Sequence, residues 1–214
     1  MGSESSIGSV SIGWVLGIIS GIAIEYFKRS GEEDRYREAT QVELNESCIT
    51  FAATFIQIQM GSYKISREDL VFCRELLSEF EIPVNREKYI KNLDEILCFN
   101  ADQFAAHRKM LKIKNKGNVH NLQTLKLPYL SATPSLISLL GGEEQKSLVK
   151  ILNYLERANS QINEIKLWAR ELISGKHSTS IESAYENGLE AFVITLKLIL
   201  NESKALRQYW KNLE

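Results

Sequence analysis

The chain has 214 residues, with 26 Lys or Arg against 27 Asp or Glu and a formal net charge of −1. Hydrophobic residues at 44% and charged residues at 25% are those of an ordinary globular chain and exclude intrinsic disorder. The balance of charge also excludes a global field that would attract nucleic acid, so partners must be sought in local charge.

Residues 1–6, Met-Gly-Ser-Glu-Ser-Ser, form a short tail that also matches the myristoylation pattern, with Gly2 as acceptor and Ser6 at the preferred position. From Ile7 to Ile24 eighteen consecutive residues carry no charge, the minimum length for a helix crossing the hydrocarbon core. Small residues recur every fourth place at Ser9, Gly13, Gly17 and Gly21, the spacing lipid-embedded helices use to associate closely. A cleaved signal fits poorly, because the only side-chain charge before the run is Glu4 and Ala23-Ile24-Glu25 is not a small-x-small exit. A soluble core helix would carry about 1 kcal/mol of cost for each interior glycine. The expectation is therefore a transmembrane helix over 7–27 that self-associates through Ser9, Gly13, Gly17 and Gly21.

Trp14 lies deep in this segment, whereas Tyr26 and Phe27 are placed for the membrane interface. Lys28 and Arg29 follow, with Arg35 and Arg37 close behind, and no Lys or Arg precedes the span. By the positive-inside rule the tail faces out and the bulk of the chain faces the cytoplasm, giving a single-pass cell-membrane protein. Residues 28–33 read as a juxtamembrane linker, and 34–214 suffice for one helical bundle.

Long stretches between Pro83, Pro128 and Pro134 show the 3.6-residue apolar spacing of helices, and no segment has the pattern of a strand. From Asp34 to about Ser62 the expected face is Tyr36, Ala39, Val42, Cys48, Ile49, Ala52, Phe55 and Ile56. Ser66-Arg67-Glu68-Asp69 resembles a capping box and opens a helix carrying Leu70, Cys73, Leu77 and Phe80. Asn85 caps the next, whose face is Ile90, Leu93, Ile96, Leu97, Phe104 and Leu111.

Cys48, Cys73 and Cys98 lie in apolar-periodic segments without a Cys-x-x-Cys or Cys/His cluster, so they read as three reduced, buried thiols and no metal or cofactor is expected. Asn45 and Asn201 match the glycosylation pattern but are silent in a cytoplasmic domain.

Between Asp102 and Glu143 there is no acid, while Arg108, Lys109, Lys112, Lys114, Lys116 and Lys126 are basic. Arg108, Lys112 and Lys116 would share a helix face able to rest on anionic headgroups. Nucleic acid is the weaker reading, since aromatic interleaving is missing, and the plainest reading is a solvated helix end. Gly117 to Thr133 lacks helical pattern but carries Leu122, Leu125, Leu127, Tyr129 and Leu130, so it should dock on its own bundle or on a partner.

After Gly141-Gly142 the periodicity is clearest. Leu148, Leu155, Ile162 and Ala169 hold one heptad position and Ile151, Ala158, Ile165 and Leu172 the other, the pattern of coiled-coil packing. Gly175 ends this helix, and Ser178-Thr179-Ser180 cap a last one with Ile181, Tyr185, Gly188, Phe192, Thr195, Ile199, Leu206 and Leu213 along its seam. The short connector makes the two antiparallel. The fold class expected is all-α: one membrane helix, then about five cytoplasmic helices ending in a long antiparallel pair.

For catalysis, no phosphate loop, nucleophile turn or metal-ligand spacing accompanies His107, His120 and His177. Arg170, six residues and then His177, at the end of a long helix, resembles the Arg-x(4 to 6)-His motif of the HEPN ribonucleases. That resemblance implies a dimeric, metal-independent ribonuclease in which His177 handles protons and Arg170 stabilises the phosphate transition state. Glu171 stands where the family usually carries a polar Asn, Asp or His, and Gly175 should break the helix before His177. The preferred expectation is a membrane-anchored, self-associating interaction protein with lipid, a second copy and a cytoplasmic protein as partners. In its harsher form it is the membrane effector of a toxin or phage-defence system.

Overall fold

Charged residues with strong helix propensity run without a proline through 25–48, so nothing interrupts the backbone between the apolar opening and the first cysteine. In the computed structural model one helix, α1, accordingly covers Ser5–Gly61. The structure describes the backbone at 5–62, 64–79, 86–115, 122–175 and 178–213, and the side chains within these from 28 onward except at 86, 88, 89 and 111–115. The linker expected at 28–33 is helical, and Arg37 braces it by pairing with Glu33 at 2.6 Å and Asp34 at 3.0 Å. Among the described residues no helix is long and apolar enough to cross a membrane. The expected span over 7–27 has side chains that lie outside the described residues.

The rest of the chain forms α2 (Arg67–Glu79), α3 (Arg86–Leu97), α4 (Ala101–Asn115), α5 (Pro128–Ala132), a 3-10 turn at Pro134–Leu139, α6 (Gly142–Ile173) and α7 (Thr179–Lys211). No strand occurs among the described residues. The all-helical class and the long final pair are as the periodicity requires. One difference lies at Cys98–Asn100, where the helix expected from Asn85 through Leu111 is broken in two. Asn100 is the cause: its side chain accepts the Gln103 N–H at 2.8 Å, while the Asn100 N–H donates to the Gln103 side chain at 2.9 Å. That reciprocal box starts α4 afresh. The box expected at Ser66 is present, with the Asp69 N–H donating to Ser66 Oγ at 3.1 Å. The cap expected at Asn85 and the core position expected at Phe80 lie outside the described residues.

α6 and α7 are antiparallel. Glu144 meets Trp210 at one end, Ser147 meets Glu202 further along, and Ile165 lies against Gly188 near the other end. Leu148, Ile151, Leu155, Ala158, Ile162, Ile165 and Ala169 are all buried in the seam. A Cβ on Gly188 would lie 3.0 Å from Ile165 Cγ1, so the missing side chain lets the helices close there. Gly175, at φ 83°, makes the left-handed turn that ends α6, and Ser178 Oγ accepts the Ile181 N–H to start α7.

α7 buries more than one stripe because α1 lies on its other side, antiparallel to it, with Lys64 paired to Glu190 and Asn45 bonded to Arg207. Leu189, Val193, Leu196 and Leu200 therefore join the core, while Leu213, expected in the seam, is 55% exposed past the helix end. α1 contributes Tyr36, Thr40, Leu44, Cys48, Phe51, Ala52, Phe55 and Ile58. This corrects the expected face: Val42 is 53% exposed and Ala39 only half-buried, because the stripe runs through Thr40 and Leu44 instead. α2 covers the α1–α7 junction through Asp69–Lys197 and Glu75–Lys204 pairs, and α3 folds back on α2.

Where it is described, from 122 on, the Gly117–Thr133 stretch docks on its own bundle, burying Leu122, Leu125, Leu127 and Leu130, and Ile137 and Leu140 just after it are buried as well. It contains α5, a turn of helix the sequence pattern did not announce. Side chains pin it down. Asn159 accepts the Leu125 N–H at 2.9 Å and donates to the Leu125 carbonyl at 3.0 Å, and Glu43 accepts the Tyr129 and Leu130 N–H groups at 2.6 and 2.8 Å. These bonds satisfy backbone groups that a strap without regular structure would otherwise bury unpaired.

Candidate functional site

α1 leaves the bundle near residue 35, and the side chains at that point come from three helices. Glu144, the third residue of α6, is 2% exposed and receives four hydrogen bonds. Arg37 of α1 donates through Nε at 2.8 Å and Nη2 at 3.3 Å, Trp210 of α7 through Nε1 at 2.5 Å, and the Gly141 N–H at 3.0 Å. Burial pushes the Glu144 carboxyl up, but Arg37, Trp210 and the Gly141 amide outweigh it and hold the group below the usual carboxylate range. Beside it Tyr36 packs on Tyr129 with ring centroids 5.6 Å apart and donates to the Thr133 carbonyl. The arrangement has no nucleophile and no spare base. It fixes the direction in which α1 exits.

Outside this cluster α1 has an open groove lined by Arg35, Glu38, Val42, Glu46, Pro128 and Tyr129. Sequence reasoning missed both features. Arg37 and Glu144 are 107 residues apart, and nothing local marks them as partners. The groove has a sequence signal only in Val42, an apolar residue that falls off the buried stripe.

Of the residues singled out from sequence, Ser9, Gly13, Gly17, Gly21, Tyr26 and Phe27 lie in α1, with side chains outside the described residues. Lys28 and Arg29 are exposed. In the basic tract, Arg108 is half-buried and Lys109 exposed, while the side chains of Lys112 and Lys114, and the whole of Lys116, lie outside the described residues. α4 begins at the far end of α1 from Lys28, because Arg67 donates to the Phe99 carbonyl and stacks 5.4 Å from the Phe104 ring. At about 1.5 Å per residue, Gly61 is roughly 50 Å along α1 from Lys28.

Arg170 is exposed near the end of α6, Gly175 breaks the helix as expected, and His177 lies outside the described residues. No His, Cys, Asp and Glu cluster able to hold a metal occurs among the described residues. The thiols differ from expectation in one respect: Cys48 and Cys73 are buried, but Cys98 is exposed at the α3–α4 break. Burial pushes the Cys48 and Cys73 thiols up to about 12. A thiol-reactive dye at pH 8 should therefore label one cysteine of the folded chain and all three after denaturation. Rapid labelling of two in the native chain would contradict the packing of α1 or α2.

No family model, curated protein or solved structure matches this chain.

Proposed function

We propose that the protein is a membrane-anchored, self-associating helical bundle that presents an interaction surface to a cytoplasmic protein and has no catalytic activity of its own. The observation that supports this reading is the continuity of α1. The helix that carries the uncharged, small-residue stretch of Ile7 to Ile24 is the one whose residues 36–58 form the centre of the bundle. Whatever surrounds the first half therefore positions the second half directly, without a linker. Small residues at every fourth position support association of that first half in lipid, and Lys28 and Arg29 at its inner end support a cytoplasmic bundle. The harsher form of the reading, an effector of a toxin or phage-defence system, adds permeabilisation by the assembled helices.

In membranes resistant to carbonate washing, Gly13→Leu and Gly17→Leu should each lower the crosslinked dimer several-fold while leaving the thermal transition of the bundle unchanged. Undiminished crosslinking removes the small-residue face as the contact. Growth arrest and dye entry on expression distinguish the effector from a passive tether. RNA cleavage by the purified chain, lost in His177→Ala, would replace this reading with the ribonuclease one.

A further inference from the structure

Resting on that reading of a self-associating anchor, we infer that the open face of α1 at Arg35, Glu38 and Val42 seats the same face of a second, parallel copy of the chain. In this contact Arg35 of each copy pairs with Glu38 of the other.

Several charges near the exit of α1 are already engaged. Glu33 and Asp34 are held by Arg37, Glu144 by Arg37 and Trp210, and Glu43 by the backbone of α5. Arg35 and Glu38 are exposed on the groove and make no ion pair among the described residues. Val42, one to two turns further along the same face, is 53% exposed. At about 100° per residue, Arg35 lies roughly 20° to one side of Val42 around the helix and Glu38 roughly 40° to the other.

Two parallel helices related by a two-fold axis along the Val42 face bring the left flank of one against the right flank of the other. Arg35 then meets Glu38 of the second copy twice, with Val42 against Val42 one to two turns further along the contact. The charges are self-complementary in this orientation only because the cation and the anion sit on opposite flanks. Parallel orientation follows from both copies entering from one face of one membrane. The face is also in phase with the small residues: on an unbroken helix, positions 13, 17, 35, 38 and 42 fall within one sector of about 60°. A contact begun in the span is thereby carried into the bundle on the same side of α1.

The test uses the full chain in membranes, with the exposed Cys98→Ser so that its thiol does not interfere. Val42→Cys should form an oxidative dimer, since a disulfide needs Cα atoms within about 7 Å. Val149→Cys, 46% exposed on α6, should not. Adding Glu38→Arg to Val42→Cys should cut the disulfide dimer several-fold, and adding Arg35→Glu as well should restore it. A Val42 crosslink indifferent to both changes overturns the pairing. If amine-reactive crosslinking still captures a dimer sensitive to Gly13→Leu but Val42→Cys stays monomeric, this face is not the contact, although self-association stands. If neither route captures a dimer, the self-association reading falls with it.

Discussion

Glu144→Ala is expected to destabilise the bundle by about 3 kcal/mol, the low end of what removing one partner of a buried ion pair costs. The substitution leaves the Arg37 guanidinium, the Trp210 indole N–H and the Gly141 amide without their acceptor at a site where only 2% of Glu144 meets water. Arg37 keeps a fifth of its side-chain surface in solvent and can turn to Glu33 and Asp34, which holds the loss below the upper end of the range. Glu144→Gln should cost less, since its carbonyl still accepts while its amide faces donors. Urea denaturation of the full chain in mild detergent, followed by far-UV circular dichroism, measures both. Trp210 emission should shift to longer wavelength in the alanine variant before the main transition.

The same carboxyl sets an acid limb. Its folded-state pKa lies below the ordinary value of 4.5, and that of Asp69, paired to Lys197, below 3.8. The unfolded chain then binds more protons between the folded and unfolded pKa values, so stability rises with pH across that window. Both contributions are complete above about pH 5 and are lost as pH falls through the depressed folded values. Glu144→Gln should flatten the Glu144 part of this limb and leave that of Asp69. A limb identical in the wild type and the glutamine variant would show that Glu144 does not hold its place in solution.

Phe192→Ala should cost about 4 kcal/mol, because a fully buried ring is lost from a seam that cannot close over the cavity. For a chain of this size that corresponds to a drop of roughly 8–16 °C in Tm. Phe192→Leu should cost about 1 kcal/mol, and Ile194→Ala, two positions on and 56% exposed, should stay within about 0.5 kcal/mol of the wild type. Equal effects at 192 and 194 would mean that α7 is rotated from its place between α1 and α6.

How far the sequence was legible depends on how many neighbours each helix has. α6 packs mainly on one helix, so its heptads name its buried residues almost completely. α7 lies between two helices, and a single seam misses Leu189, Val193, Leu196 and Leu200 on its second face. In α1 the apolar count points to Ala39 and Val42, whereas the buried stripe runs through Thr40 and Leu44; the polar Thr40 is covered by neighbours that sequence spacing does not reveal. The break between α3 and α4 was readable, since Asn100 and Gln103 stand at box spacing, but the apolar rhythm on both sides hid it. The exit cluster was not readable at all. Glu144 looks like an acid placed to suit a helix N-terminus, and only the fold brings Arg37 and Trp210 to it.

The absence of any joint between the first and second halves of α1 means that the azimuth of the bundle is set by residue count. One residue added or removed between 28 and 33 would swing everything after it by about 100°, while seven would return it to within about 20° of where it began. A protein built this way can hand a small twist of its opening segment to every surface of the bundle, and its spacing there is as much a part of its chemistry as any side chain.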